Sequence, residues 1–150
     1  MSKLKKILLA LALVFIVLQF LPSDRNENGR MVTEDITKVV DMPANVQAVL
    51  KTSCYDCHSN HTEYPWYSNI QPIRYMQDRH VRKGKADLNF SEFGSYSKRK
   101  QRNKLKAIAS SIKEEMMPIS SYTLIHRNAR LSQANKTLIT AWVKDQVNRF

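Results

Sequence analysis

Cys54-Tyr55-Asp56-Cys57-His58 sets two thiols three residues apart and puts an imidazole directly after the second. On a helix, residues i and i+3 share a face, so thiols at this spacing can reach the two vinyl groups on one edge of a haem. The histidine that follows then lies under the iron and can supply its proximal nitrogen. Rival chemistries lack partners. A thioredoxin-like pair opens a helix after a strand, and no strand pattern precedes Cys54. A zinc centre needs a second Cys/His pair at ligand spacing, whereas His61, His80 and His126 are scattered. A short disulfide would leave His58 without a role.

A haem iron with one histidine takes a sixth ligand or keeps an open site. Met117 stands before Pro118, and proline drives the residue before it out of helical geometry. A thioether released at a helix exit can aim at an iron held by an earlier helix, so Met117 is the predicted distal ligand. His126 is its rival, Met42 and His80 are lesser candidates, and an open site is the remaining possibility. Met116 continues an apolar helical stripe and is expected in the core. His61 is expected to cap a turn or face solvent. Tyr64, Trp66, Tyr67, Tyr122 and Trp142 are expected as core and pocket wall.

The elements that position these residues read as helices. Val46, Val49, Leu50, Cys54 and Cys57 follow Pro43 at helical spacing, which puts Pro43 at N1 and both cysteines on the buried stripe of one helix. Residues 64–72 form a proline-bracketed aromatic loop, 73–81 a short helix, and 88–91 a turn with Ser91 as cap. Residues 97–116 give the clearest helix, with Leu105, Ile108, Ala109, Ile112 and Met116 inward and Pro118 as its stop. A last helix runs from the cap Ser132 to Phe150, with Leu138, Ala141 and Trp142 inward. No run alternates with period two, so the fold class is all-α.

The chain of 150 residues suits one domain after a leader. Lys3, Lys5 and Lys6 precede an apolar run from Ile7 to Leu18 that Phe20 and Leu21 extend to Pro22. As a helix this run spans about 22 Å, short of a hydrocarbon core of about 30 Å. No A-x-A-like cleavage site follows, so residues 1–22 read as a retained anchor or signal segment. Lysines on the inside place the rest beyond the cytoplasmic membrane. Residues 23–31 are expected as a polar tether and 32–150 as the folded domain. Three glycines exclude Gly-rich phosphate loops, and two cysteines exclude a disulfide-dense scaffold or an all-cysteine zinc site. The net charge of +11 concentrates in residues 74–106, with eleven bases against three acids. That block reads first as a solvated helix face that keeps the domain soluble, and next as a surface for an acidic protein partner or anionic lipid; in an exported protein nucleic acid is the least expected partner.

Residues 54–72 read CYDCHSNHTEYPWYSNIQP. This string resembles the bacterial haem-binding domain family of small envelope proteins, whose signature is C-x-x-C-H-S-N-x-T followed by Y-P-W-Y-S and a proline. Gly84 with Leu88-Asn89-Phe90-Ser91, Met117-Pro118 with Tyr122 and His126, Leu131-Ser132, and Trp142 are similar too. The resemblance covers residues 35–150 and implies a membrane-tethered or periplasmic single-haem c-type cytochrome with a compact helical fold. Residues and resemblance converge on one expectation, a cytochrome c-like helical domain after an N-terminal hydrophobic helix. One haem c would be attached through Cys54 and Cys57, with His58 and Met117 on the iron. Its expected role is electron transfer with a redox partner protein, an acidic one being the kind the basic block would suit, on the periplasmic side of the cytoplasmic membrane, with residues 7–21 as anchor. Such a protein is a carrier and not an enzyme. The alternative is a peroxidase or gas sensor with an open or displaceable sixth site.

Overall fold

Leucine and isoleucine recurring at three- and four-residue spacing after Ser97 become the central helix of the domain. The computed structural model describes residues 2–27, 29 and 34–150; the expected end of the tether and start of the domain, at 28 and 30–33, lie outside the described residues. Every α-helix and 3-10 turn follows in one order. The helices are α1 (Lys3–Gln19), α2 (Ile36–Val39), α3 (Ala44–Ser53), α4 (Tyr55–His58), α5 (Ile73–Asp87), α6 (Lys98–Lys113), α7 (Ser120–Ile125) and α8 (Gln133–Asn148). The 3-10 turns are Trp66–Asn69, Phe90–Ser95 and Arg127–Ala129. No strand occurs among the described residues, so the chain is all-α as expected.

Helix α6 starts where its cap is. The Ser97 hydroxyl accepts from the Lys100 N–H at 3.4 Å, and Leu105, Ile108 and Ile112 form the buried stripe. Helix α8 packs on it, capped by Ser132, which accepts from the Asn135 N–H at 3.1 Å. Its inward residues are Ile139, Trp142 and Val143; Ala141, expected inward, is exposed because Ile139 and Trp142 set the phase. Val46 and Leu50 of α3, Ile36 of α2 and the rings of Phe90 and Phe93 complete one apolar cluster. Burying each such side chain is worth about 1.5–3 kcal/mol, so this cluster carries most of the domain's stability.

Several boundaries differ from the sequence reading. Pro43 occupies the N-cap of α3 rather than N1. The backbone leaves the helical range at Cys54, with φ −132°, so α3 stops at Ser53 and the two cysteines do not share one straight helix. Helix α5 continues to Asp87, past the expected end at Val81. Asn89, not Ser91, caps the Phe90–Ser95 turn, accepting from the Ser91 N–H at 3.1 Å. Helix α6 ends before the methionines, because Glu115 takes φ 58°. The Met116 N–H reaches the Ser111 carbonyl at 2.9 Å and the Glu115 N–H the Ile112 carbonyl at 3.2 Å. That is a Schellman end with glutamate in the left-handed position usually given to glycine. Met116 is therefore turned out to solvent, 53% exposed, and is not a core residue.

Helix α1 buries none of its residues, and no described helix is long and apolar enough to cross a membrane. Its last turn is nevertheless attached. The Gln71 N–H donates to Gln19 Oε1 at 3.0 Å, and the Arg74 guanidinium donates to the carbonyls of Gln19 and Leu21. Residues 23–27, part of the stretch 23–31 expected as a polar tether, are tied to α5 and to the loop of residues 59–64. The Ser23 hydroxyl donates to Asp78 at 2.7 Å, and Asn26 is buried.

Candidate functional site

Three segments converge on the C-x-x-C-H string: α4 carries it, α5 crosses behind it, and the chain leaving α6 closes over it. The approach of α5 depends on Gly84. A β-carbon there would lie 2.5 Å from the Cys57 carbonyl oxygen, closer than packed atoms can come. Glycine at this position lets two backbones touch, which fixes how near Cys57 stands to α5.

The end of α5 then orients the histidine. Leu88 leaves the helix with extended backbone, and its carbonyl oxygen lies 2.9 Å from His58 Nδ1. A carbonyl only accepts, so the ring proton sits on Nδ1 and the lone pair on Nε2. Metal-bound histidines use this arrangement, in which the second nitrogen is held by a carbonyl so that the first can ligate. The Ser59-Asn60 pair braces the same turn. The Asn60 N–H donates to Ser91 Oγ at 3.1 Å, and Asn89 Nδ2 donates to Asn60 Oδ1 at 2.8 Å.

Two cavities open on this histidine. One of about 200 Å³ is lined by Cys54, Cys57, His58 and Met117 together with Gly84 and Tyr122. The other, of about 310 Å³, is lined by Cys54, His58 and Met117 with Phe90 and Ile108 behind them. Burial pushes the Cys54 thiol up to about 12, with Cys57 adding to the shift, and burial pushes Cys57 up to about 11, with Asp56 adding to it. Exchange-active thiols are displaced the other way, toward thiolate. Two neutral thiols, an imidazole with a free nitrogen and a thioether around shared apolar space form a donor set that fits a c-type haem.

His126 stands elsewhere. Its Nε2 lies 2.6 Å from the Tyr67 hydroxyl, and its ring stacks on Tyr122 at 4.3 Å between centroids. It lines an open polar depression of about 710 Å³ that contains neither cysteine nor His58. It also lines a groove of about 260 Å³ shared with Cys57, Tyr67 and His80 but not with His58 or Met117. Tyr122 donates to Asp56 Oδ2 at 2.6 Å; burial and that carboxylate push its hydroxyl up, so it stays a donor. The matched aromatics Tyr67 and Tyr122 thus hold His126 and the Asp56 position of the motif. Trp142 belongs to the distant core, donating to the Asp41 carbonyl at 2.9 Å, while Trp66 is exposed. His61 is exposed, as expected.

Sequence reasoning missed the Leu88 carbonyl, because a backbone acceptor leaves no mark on residue type. It missed Asn26 as well. The Asn26 N–H donates to Tyr64 Oη at 2.9 Å, and its amide donates to the Ser59 carbonyl and Thr62 Oγ1, both at 2.9 Å. Its own oxygens accept from Lys85 Nζ at 2.6 Å and from the Thr62 N–H at 2.9 Å.

A helical domain with this histidine clamp and paired thiols is of the haem-protein class, and comparison with known families agrees. The family model described as haem-binding domain matches residues 13–145, and the chain belongs to that family. No curated protein and no solved structure matches it.

Proposed function

We propose that this haem-binding domain is a monohaem c-type cytochrome that carries electrons at the outer face of the cytoplasmic membrane. The observation that carries the reading is the His58 clamp. With Nδ1 held by the Leu88 carbonyl, Nε2 is left to ligate in a cavity that His58 shares with Cys54, Cys57 and Met117. Cys54 and Cys57 would hold the haem as thioethers through its vinyl groups, and His58 and Met117 would supply the iron's two protein ligands. Bound haem supplies a one-electron iron couple. The chain's own residues orient the imidazole, exclude water with Phe90 and Ile108, and keep Tyr122 protonated beside the site. The compact helical wrapping would then be cytochrome c-like, and residues 7–21 would keep the protein at the membrane.

In the test, the full chain is matured with a cytochrome assembly system. Acidic organic solvent should fail to extract the haem, and the denatured chain should gain one haem mass; free Cys54 and Cys57 thiols would overturn covalent attachment. Met117→Ala should lose the weak charge-transfer band of methionine-ligated iron(III), while Met116→Ala, at an exposed position, should keep it. A spectrum changed by His126→Ala and untouched by Met117→Ala would overturn the distal assignment. Wild type that binds carbon monoxide as readily as the Met117→Ala variant would favour the sensor or peroxidase alternative.

A further inference from the structure

The end of α1 is where the chain has no slack. Its apolar run reaches only about 22 Å as a helix, against a hydrocarbon core of about 30 Å, and a short span draws the interface to its own ends. Phe20 and Leu21, both exposed, therefore mark the boundary on the domain side. The domain begins at that boundary. Gln71 and Arg74 grip Gln19 and Leu21, and Ser23 and Asn26 tie the next residues to α5 and to the 59–64 loop. A domain held this way presents one defined face to whatever surrounds the end of α1.

That face has the composition of an interface. Beside the grip, Tyr75 follows Arg74 and is 56% exposed, and Trp66, in the turn that precedes Gln71, is 76% exposed, although large side chains of these types are normally covered. Arg79 follows Tyr75 by one helical turn, is exposed, and makes no ion pair among the described residues. Tryptophan and tyrosine favour the headgroup layer of bilayers, and arginine there meets anionic phosphate.

We propose that the domain rests on an anionic bilayer through this face, with Trp66 and Tyr75 entering the headgroup layer beside Phe20 and Leu21, and Arg79 on lipid phosphate. This inference rests on the reading of α1 as a retained anchor. It makes the haem domain a docked body with fixed orientation, and the bases of α6 are then a separate surface.

The test places nitroxide labels on the full-length haem-loaded protein in nanodiscs of phosphatidylglycerol and phosphatidylcholine. The single variants are Trp66→Cys and Tyr75→Cys, with Val14→Cys in α1 and Lys144→Cys on exposed α8 as references. Labels at 66 and 75 should show an oxygen-to-nickel-chelate accessibility ratio several-fold above that at 144, approaching the ratio at 14. Docking is overturned if 66 and 75 match 144 while 14 lies in lipid. If 14 is as water-exposed as 144, the anchor itself fails and takes docking with it. The haem spectrum reports the proposed cofactor chemistry independently in every sample.

Discussion

The α6–α8 half and the α4–α5 half of this domain are held by different forces. Between α6 and α8, apolar stripes meet, and caps at Ser97 and Ser132 finish the helices. Around α4, Cys54 and Tyr55 touch the edge of the apolar cluster, but their position is set by directed polar contacts and one backbone-on-backbone approach. Asn26, Asn60 and Asn89 supply those contacts, and Gly84 allows the approach. Apolar packing tolerates repacking and is felt mainly as stability. Directed contacts fix position, which is what a ligand to iron needs. The division therefore separates what keeps the domain folded from what aims its chemistry.

The largest effect should come from breaking the packed half. Leu105 is fully buried in the cluster, and Leu105→Ala should cost about 2–5 kcal/mol in denaturant unfolding. The charge-transfer band and haem spectrum of the folded protein should stay as in wild type. A spectrum that shifts with this substitution would mean the two halves are not separable.

Gly84→Ala should reverse that pattern. The added carbon meets the Cys57 carbonyl at 2.5 Å, and neither backbone can yield without moving. Overpacking of this kind costs about 1–3 kcal/mol, less than the leucine truncation. Its mark should instead be incomplete attachment at Cys57, read by mass spectrometry, and a shifted haem spectrum. Full attachment with a wild-type spectrum would show that α5 can retreat and that glycine is not what positions the cysteine.

The smallest effect tests whether the packed half also has a function at its surface. Lys98, Arg99, Lys100 and Arg102 are exposed on α6, and Lys100 lies over the Tyr96 ring at 3.8 Å. Lys98 likewise lies over the Phe150 ring at 5.2 Å, so neutralising all four to glutamine should change stability by about 1 kcal/mol, the scale of two exposed cation–π contacts at about 0.5 kcal/mol each. Association with an acidic redox partner should weaken and lose most of its ionic-strength dependence in stopped-flow electron transfer. Salt slopes equal to wild type would return these bases to a solubilising role.

The same contrast explains what could be read in advance. The packed half announced itself through period and cap, so Leu105, Ser132 and Trp142 were legible as cap or core, while Ser97, read as the first helical residue, is in fact the cap of α6. The five-residue C-x-x-C-H string likewise singled out Cys54, Cys57 and His58, which line one cavity together. Residue type does not encode where a backbone carbonyl points, so Leu88 was invisible. Nor does it reveal that a left-handed glutamate will end α6 one turn early, which turned Met116 outward and left Met117 lining both cavities. Asn26 was hidden because a polar stretch reads as solvated until its partners, thirty or more residues away, are known.

The five hydrogen bonds of Asn26 also decide where this protein can be cut. A water-soluble version would naturally begin at residue 32, where the sequence suggests the domain starts. That boundary discards Asn26 and strips partners from the Ser59 carbonyl, the Thr62 hydroxyl and N–H, the Tyr64 hydroxyl and Lys85. A version beginning directly after Pro22 removes the apolar helix and keeps all five, giving up only the contacts of Gln19 and Leu21 to Gln71 and Arg74, so the better place to cut is the proline and not the start of the first core helix.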